Sequence, residues 1–552
     1  MARIFASRGV RSPAELDYSM AGLLSQEGLS NMSGAVALLH DAMEADQRIL
    51  VVGDFDADGA TSSAVAVEGL KAMGAREVDF MVPDRFLLGY GLSPAIVELA
   101  AERGAELIIT VDNGISSLDG VAAAKAQGMR VLVTDHHLPG PALPDADAIL
   151  NPQQVGDAFP SKCLAGVGVI FYVLAGLRSH LRENDWFARR ECPEPNLAHL
   201  LDLVALGTVA DMVPLDHNNR ILVTQGLKRI RSVHCRAGLK ALFKVAGRNR
   251  EQATAADLGF AISPRLNAAG RLTDMTEGIH CLLAEDLGAA TKIARNLDEL
   301  NRTRREIQSG MQAQALNAVD AMQANDGPLP QGVCLFDSRW HQGITGLVAS
   351  RVRESIHRPV AAFAPGNSGE VKGSARSITG LHIRDVLAEI ATRHPGLILR
   401  FGGHAMAAGL TLTESGLDAF RTAFDEEVRR VLGDEPPESV LHTDGSLTTQ
   451  HLSLPFARRI RGAGPWGSGF PEPLFDGHFR VLEKRQLNGG HLKLKVEPLS
   501  SGPELEAIAF NVGDTEFNYA GVRLIYRLDV NHFRGTDRLQ LVVEHILADA
   551  GR

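Results

Sequence analysis

The 552-residue sequence predicts an α/β multidomain protein: a parallel-sheet domain, a connector helix, a smaller α/β domain and a C-terminal β-barrel. Three observations predict this. Apolar strands alternate with helices over residues 48–137, a proline-free helical pattern covers 287–323, and short alternating strands fill 440–552. At roughly 100–200 residues per domain, the length fits three to five domains.

The first α/β segment contains four strands, within RILVVGDF, EVDFMVP, ELIITVDNG and MRVLVTDHH. Their almost continuous apolar character is typical of a parallel sheet that is covered on both faces. Open sheets of this kind hold their chemistry beyond the carboxyl ends of the strands. Residues 164–232, which follow, are predicted to be mainly helical.

A long connector helix is predicted next, because apolar residues recur at spacings of three, four and seven from Ile293 to Met322. The stretch NDGPLPQG (325–332) ends it, and a second α/β segment follows. After the linker GDEPPES (433–439), about five short strands predict a small barrel or sandwich, for which an OB-fold is one candidate.

The bulk composition limits the class of protein. No apolar run is long enough to cross a bilayer and the first residues do not resemble a secretory signal, so we expect a cytoplasmic protein without membrane association. Five scattered cysteines without a C-x-x-C pair fit a reducing compartment and argue against a thiolate zinc site. The net charge of −10 disfavours nonspecific nucleic-acid binding, although basic clusters occur at 302–306, 350–358 and 458–461, each of which has a solvated helix face as the alternative.

Acidic and imidazole side chains follow three of the predicted strands, and one further acid ends a later apolar run. Each alone has an ordinary explanation, such as a turn or a helix cap. Together, unpaired, they would cost several kcal/mol in repulsion and desolvation, and a divalent metal cluster of the Mg²⁺ or Mn²⁺ class would remove that cost. The candidate ligands are Asp54, Asp56, Asp58, Asp112, His136, His137 and Asp211.

Four stretches resemble the successive motifs of the DHH phosphoesterase superfamily: VVGDFDADGATS (51–62), TVDNGIS (110–116), VTDHH (133–137) and GTVADMVPL (207–215). FGGHAMAAGL (401–410) resembles the GGH motif of the DHHA1 domain. Four further stretches are similar to the RecJ branch, the single-strand-specific 5′→3′ DNA exonucleases: PDRFLLGYGLS (83–93), SPRLNAAGR (263–271), WHQGITGLVASR (340–351) and KGSARS (372–377). The likeness covers residues 48 to about 415, and the C-terminal barrel resembles the RecJ OB domain in position and length.

The resemblance implies a domain division and a function. The divisions are an N-terminal extension (1–47), the DHH domain (48–232), a helical segment with the connector helix (233–327), the DHHA1 domain (328–435) and an OB-like domain (436–552). The implied function is metal-dependent exonuclease degradation of single-stranded DNA, 5′→3′ to mononucleotides, in DNA repair and recombination. The implied partners are single-strand DNA-binding protein and a RecQ-type helicase.

The resemblance also implies residue roles. Asp56 and Asp112 would hold one of two Mn²⁺ or Mg²⁺ ions, with Asp54 as a further ligand or supporting acid. The second ion would be held by Asp112, which bridges, and by Asp58, His136 and Asp211. His137 would orient the site or touch the scissile phosphate, and His404 would reach phosphate across the cleft. The candidates for gripping the 5′ end are Arg85, Arg265, Ser374 and Arg376, with a structural salt bridge as the alternative for each arginine.

Three alternatives and one further expectation stand beside this interpretation. A small-substrate phosphodiesterase would typically lack the C-terminal barrel and SPRLNAAGR, a binding scaffold would have lost metal ligands, and an aminoacyl-tRNA editing domain would not need the first domain's acids. Aromatic residues are candidate stacking platforms for the DNA, with core packing as the alternative for most of them: Tyr90, Trp340, Trp466, Phe470 and Phe475.

Overall fold

Five strands form the first sheet: β1 (Ile49–Val52), β2 (Val78–Met81), β3 (Leu107–Val111), β4 (Arg130–Thr134) and β5 (Ala148–Leu150). They are all parallel, in the order β2-β1-β3-β4-β5, which confirms the predicted parallel sheet. This strand order changes direction between β1 and β3, and such a switch point is where open α/β sheets bind ligands.

The computed structural model describes residues 1–84, 91–326, 329–367, 369–435, 440–488, 490–510, 512, 520–533 and 535–548. Both faces of the first sheet are covered, because alternate residues of β1 contribute to two separate apolar cores. The helices up to residue 231 are α1 (Ala2–Ala6), α2 (Met32–Glu44), α3 (Ala57–Ala72), α4 (Pro94–Glu102), α5 (Leu118–Ala126), α6 (Gly166–Glu183), α7 (Trp186–Arg189), α8 (Leu201–Ala210) and α9 (His217–Arg231).

A helical segment connects the two α/β parts. The predicted connector is a single helix of 40 residues, α14, which spans roughly 60 Å at 1.5 Å per residue. A five-residue π-helix, Leu258–Ile262, runs directly into α12. The helices of this segment are α10 (Ala237–Val245), α11 (Ala255–Asp257), α12 (Ser263–Leu272), α13 (Thr276–Leu283) and α14 (Leu287–Asp326).

The second sheet has the strand order β6-β7-β8-β10-β9, with β6 and β7 parallel and the remaining pairs antiparallel. Apolar cores lie on both of its faces. Its strands are β6 (Val333–Phe336), β7 (Val360–Pro365), β8 (Glu370–Arg376), β9 (Arg400–Gly403) and β10 (Ala407–Thr413), and its helices are α15 (Thr345–Ile356), α16 (Ile383–Arg393) and α17 (Leu417–Leu432).

The C-terminal strands form a closed five-stranded barrel, β11-β12-β13-β15-β14, so the barrel rather than the sandwich is observed. Helix α18 (Leu454–Gly462) precedes it, and its strands are β11 (Phe475–Leu487), β12 (His491–Pro498), β13 (Leu505–Ala509), β14 (Gly521–Phe533) and β15 (Thr536–Ala548). Seven short 3₁₀ helices complete the described secondary structure: Pro13–Leu16, Met20–Gly22, Gln26–Gly28, Leu197–Leu200, Arg250–Gln252, Glu414–Gly416 and Thr449–His451.

Most of the aromatic residues considered as stacking platforms are core residues. Trp340, Phe470 and Phe475 are buried. Trp466 is partly buried, donates its indole N–H to the Ile460 carbonyl and stacks on Phe470 at a ring-centroid distance of 5.1 Å. Tyr90 lies outside the described residues. The core-packing alternative therefore holds for the four that are described.

Within the described part of the chain, no helix combines the length with the apolar character that a membrane span requires.

Candidate active site

The carboxylates that follow β1 are held by the start of α3. Asp56 is the N-cap of this helix, and its Oδ1 accepts the N–H groups of Asp58 (2.9 Å) and Gly59 (3.1 Å). Asp54 is buried between the strand and the helix. Gly59 is required here, because a Cβ at this position would overlap the Asp54 backbone. The tight turn therefore brings two carboxylates to the end of the strand.

Asp58 is fully buried and caps a second helix. Its two carboxylate oxygens accept the N–H of Gly166 (2.7 Å) and the N–H of Val167 (3.1 Å), at the beginning of α6. The free N–H groups of a helix N-terminus stabilise a negative charge. This contact fixes the Asp58 carboxylate inside the protein, and it could not be predicted from the sequence because the donors are more than a hundred residues away.

Asp112 follows β3 in a left-handed backbone conformation, with a φ of 63°, and is 2% exposed. Left-handed backbone is uncommon outside glycine, and Asp and Asn are among the residues that tolerate it best. The start of α6 crowds the side chain, since a Cβ on Gly166 would lie 2.6 Å from the Asp112 Cβ. The Asp112 carboxylate is therefore held at the end of β3 by an uncommon backbone conformation and by close packing against α6.

Asp135 organises the two histidines that follow β4. Its Oδ1 accepts the N–H groups of His136 and His137 and lies 2.7 Å from His137 Nδ1, and its Oδ2 accepts the Ile115 N–H. His136 Nε2 in turn lies 3.0 Å from Asp112 Oδ1 and 3.5 Å from Asp211 Oδ2. Asp135 was not among the predicted site residues, although it begins the DHH triplet.

The structure brings all seven candidate ligands together. They form three groups in which one oxygen or nitrogen of each residue lies within 4.8 Å of the others. Carboxylate oxygens and imidazole nitrogens in this number suit a divalent cation of the Mg²⁺ or Mn²⁺ class. The groups are Asp54 with Asp56 and Asp112, Asp58 with His136 and Asp211, and Asp112 with His136 and His137.

Electrostatics in the site favour a bound cation. Burial, helped by the negative charge of Asp211, raises the pKa of Asp58 to about 7. Burial likewise raises the pKa of Asp211 to about 7, helped by the charge of Asp56. Burial lowers the pKa of His136, which favours the neutral imidazole that binds metals. A positive charge bound nearby would reduce the electrostatic repulsion among these buried acids.

Asp135 behaves in the opposite way. Burial alone would raise its pKa, but the hydrogen bond from His137 and the charge of that ring lower it to about 2. Burial would lower the pKa of His137, but the same hydrogen bond to Asp135 outweighs it and raises the value to about 9. In the metal-free protein the pair is therefore an ionised carboxylate and an imidazolium at neutral pH.

His404 reaches the first sheet from the second α/β domain. Its ring stacks on the ring of His137, with the centroids 5.4 Å apart and the planes at 19°. It follows β9, and its backbone N–H donates to the Ala407 carbonyl at 2.8 Å. Burial and the positive charge of His137 lower its pKa. The two domains therefore face each other across the acidic cluster at contact distance.

A small cavity of about 170 Å³ adjoins the cluster. Ser374 and Arg376 project into it together because they are two residues apart on β8 and so share a face of the strand. Gly346, in the first turn of α15, lies against them, and a Cβ there would be 2.5 Å from Arg376 Nη2. The remaining lining residues are Phe55, Asp56, Asn267, Arg271, Gln342 and Gly343.

Arg376 carries an uncompensated charge in this cavity. Its Nε donates to Ser350 Oγ (3.2 Å) and its Nη1 to the Ala375 carbonyl (2.9 Å). Among the described residues no carboxylate lies within ion-pair distance of it. Burial, and then the charge of Arg353, lower its pKa to about 10. A guanidinium next to a helix N-terminus is suited to bind an anion.

Arg265, one of the predicted 5′-end arginines, does not line the cavity. Arg265 faces α14 instead, where its Nη2 lies 2.8 Å from Asp298 Oδ1. The residues of α12 that line the cavity are Asn267 and Arg271, which are four apart and so share a helix face that Arg265 does not. Helical spacing within SPRLNAAGR was thus the signal that could have selected Arg271. Arg85 lies outside the described residues.

Comparison with known proteins agrees with this architecture. Family models match for the DHH family, N-terminal domain (residues 48–208), the DHHA1 domain (330–430) and the RecJ OB domain (443–545). The single-stranded-DNA-specific exonucleases RecJ of Dickeya dadantii and Escherichia coli are 54% and 51% identical to the chain, and each alignment covers 99% of this chain and 95% of that protein.

Solved structures agree as well. A crystal structure of RecJ from Thermus thermophilus in complex with Mn²⁺ superposes with a TM-score of 0.80 at 30% identity, over 100% of this chain and 76% of that one. On the strength of relatives that are more than half identical along almost its whole length, the chain belongs to the RecJ family of single-stranded-DNA-specific exonucleases.

Proposed function

We propose that this chain is a metal-dependent exodeoxyribonuclease that degrades single-stranded DNA from its 5′ end, releasing mononucleotides by two-metal hydrolysis. The observation that carries the proposal is the juxtaposition of the acidic cluster with the Arg376 cavity, which share Asp56 as a lining residue. A cavity that binds a terminal phosphate next to the cluster would present the neighbouring phosphodiester bond to it. The protein would then cleave the strand at a fixed distance from its 5′ end, as an exonuclease does.

Two divalent ions fit the residues that are present. Asp54, Asp56 and Asp112 would hold one, and Asp58, His136 and Asp211 the other, with Asp112 close enough to His136 to serve both. When bound, such ions supply Lewis-acid activation of water and stabilise charge on the attacking and leaving oxygens. The relatives of known structure support Mn²⁺ or Mg²⁺, since RecJ from Thermus thermophilus was solved with each.

The protein's own groups would position the phosphate between the domains. His137 carries a positive charge that Asp135 sustains, and it faces His404 across the cleft. These two rings would contact the scissile phosphate from opposite domains, His137 as a charged donor and His404 as a neutral one. Arg376, Ser374 and Arg271 would hold the terminal phosphate at the far side of Asp56.

The proposal is tested with a single-stranded DNA labelled at its 5′ end and the same strand labelled at its 3′ end. We expect labelled mononucleotide to appear at once from the 5′-labelled strand, with Mn²⁺ or Mg²⁺ and not with chelator, and duplex DNA to be spared. Immediate mononucleotide release from the 3′ label would overturn the polarity. Cleavage confined to oligomers of two to five nucleotides would favour a small-substrate phosphodiesterase.

Metal binding is expected to strengthen with pH. Asp58 and Asp211 have folded pKa values of about 7, raised from the ordinary value, so their ionisation destabilises the metal-free fold as pH rises from about 4 through 7. Because Mn²⁺ must displace those protons, the rise in melting temperature on adding Mn²⁺ should be larger at about pH 8 than at about pH 5.5. Thermal melts with Mn²⁺ and with chelator measure it, and an equal shift at both pH values would contradict it.

The cellular setting belongs to the same proposal. A role in DNA repair and recombination, in the cytoplasm, with single-strand DNA-binding protein and a RecQ-type helicase as partners, is supported by membership of the RecJ family. The OB domain is suited to hold the trailing single strand. The proposal extends to the five-part domain division that was predicted from the sequence.

A further inference from the structure

Phe260 is the most exposed aromatic side chain among the described residues, at 84% of its full accessible area. It lies in the π-helix Leu258–Ile262, which runs without interruption into α12. Single-turn π-helices are rare overall, but those that occur are often found at functional sites. An exposed phenyl ring does not gain the stabilisation that its burial would provide, which raises the question of what the ring could bind. The position of the ring relative to the active site bears on that question.

The π-helix packs against the segment that carries Asp211. A Cβ on Gly259 would lie 3.4 Å from Val209 Cγ1, and Val209 precedes Asp211 by two residues. Met212, the next residue, is 74% exposed and has a left-handed φ of 61°. Two exposed apolar side chains thus lie on adjoining segments beside the Asp211 end of the acidic cluster.

Three arginines lie near the segment that carries Phe260, and two of them are paired with carboxylates. Arg265 donates to the carbonyl of Ala261, the residue after Phe260. Its guanidinium is paired with Asp298, and both Arg305 and Arg248 are close enough to act on it electrostatically. Arg248 and Arg305 are exposed, and Arg248 Nε lies 3.9 Å from Asp257 Oδ1. An exposed aromatic ring on a segment that also has exposed arginines nearby is suited to bind unpaired bases and their phosphates.

Phe260 is too far from the terminal-phosphate cavity to touch the terminal nucleotide. Arg271, which lines that cavity, follows it by eleven residues on a nearly continuous helix, a separation of about 16 Å at 1.5 Å per residue. The cavity is next to Asp56, whereas Phe260 is on the Asp211 side. A strand with its end in the cavity would pass the acids before it reached the ring.

We propose that Phe260 is a stacking platform for an unpaired base several nucleotides 3′ of the terminal phosphate, extended by Met212, with the exposed Arg248 and Arg305 near the same segment. The proposal rests on the proposed function, because it requires that the cavity holds the strand end. It assigns to the π-helix a role in holding the strand between successive cleavages.

The test is binding of 5′-phosphorylated oligothymidylates in chelator, where no cleavage occurs. Phe260→Ala and Phe260→Leu should weaken binding of a 12-mer about fivefold to a hundredfold, the range measured for the loss of one base–aromatic stack. Phe260→Tyr and Phe260→Trp should retain it, and Val233→Ala, a change at another exposed apolar residue, should have no effect. Binding of a 5′-phosphorylated dinucleotide should be the same in every variant, since it cannot span the distance.

Unchanged 12-mer affinity in Phe260→Ala, with normal binding by the wild type, would overturn the platform and leave the exonuclease proposal intact. Equal weakening for dinucleotide and 12-mer would also overturn it, because that result indicates a distorted active site. Failure of the wild-type protein to bind either oligomer would count against the proposed function itself.

Discussion

Asp112→Asn is expected to reduce exonuclease activity by about 10³-fold or more while leaving the protein folded, because Asp112 is shared by two of the three potential metal groups. Asparagine retains the side-chain volume next to Gly166 and tolerates the left-handed backbone at this position. It replaces one carboxylate oxygen by an amide nitrogen and removes the negative charge that the two groups share. The measurement is kcat/KM on a 5′-phosphorylated single strand at saturating Mn²⁺.

The stability of this variant separates a metal site from a structural role. Burial, and then the charge of Asp58, raise the pKa of Asp112 well above its usual range. Removing that carboxylate relieves repulsion in the metal-free protein, so the melting temperature in chelator should be unchanged or higher. The further rise that Mn²⁺ produces in the wild type should be mostly lost.

Asp119→Asn is the matched control, since Asp119 is exposed in the first turn of α5 and belongs to none of the three groups. It should leave both activity and the Mn²⁺ shift at the wild-type level. An Asp112→Asn protein that keeps a tenth of its activity would contradict the bridging role. One that unfolds at room temperature would show that the carboxylate serves the fold.

The sequence was sufficient for the architecture because each element carries a strong local signal. The apolar strands and the proline-free connector depend on periodicity and on breakers, which act within a few residues. The strand ends also predicted which acids would meet, since the carboxyl ends of parallel strands share one edge of the sheet. Local pattern and topology together were enough for these features.

What the sequence did not reveal depends on contacts distant in the chain. Asp58 caps α6 through the backbone of Gly166, and Asp298 on the connector helix supplies the carboxylate for the Arg265 salt bridge, which was the alternative considered for this arginine. Aromatic composition was also a poor guide. Trp466 stacks on a neighbouring ring inside the protein, whereas Phe260, which no sequence pattern singles out, is in water. Tertiary packing decides these cases.

Arg376→Met is the second large expected effect. With the terminal-phosphate contact removed, kcat/KM for a 5′-phosphorylated strand should fall about 30-fold to 1,000-fold, or roughly 2–4 kcal/mol, the cost of truncating one partner of a desolvated charge pair. A strand that ends in a 5′-hydroxyl never makes this contact, so its kcat/KM should fall much less. The ratio of kcat/KM for the 5′-phosphorylated strand to kcat/KM for the 5′-hydroxyl strand, measured side by side, tests whether Arg376 binds the terminal phosphate.

Arg351→Met is the control, because Arg351 lies on α15, is exposed and pairs with Glu354 at 2.8 Å. It should change neither the substrate ratio nor the stability. Equal losses on both strand ends in Arg376→Met, or a large fall in its melting temperature, would mean that Arg376 supports the fold.

We expect Arg376→Met not to lower the melting temperature. A partly buried guanidinium without a carboxylate partner lowers the free energy of unfolding of the metal-free, DNA-free protein. Met fills a similar volume without that charge, so the variant should melt at the wild-type temperature or above it. Arg376 would then lower the stability of the free protein and be needed for the reaction of the phosphorylated substrate. That combination indicates a residue that serves ligand binding and not the fold.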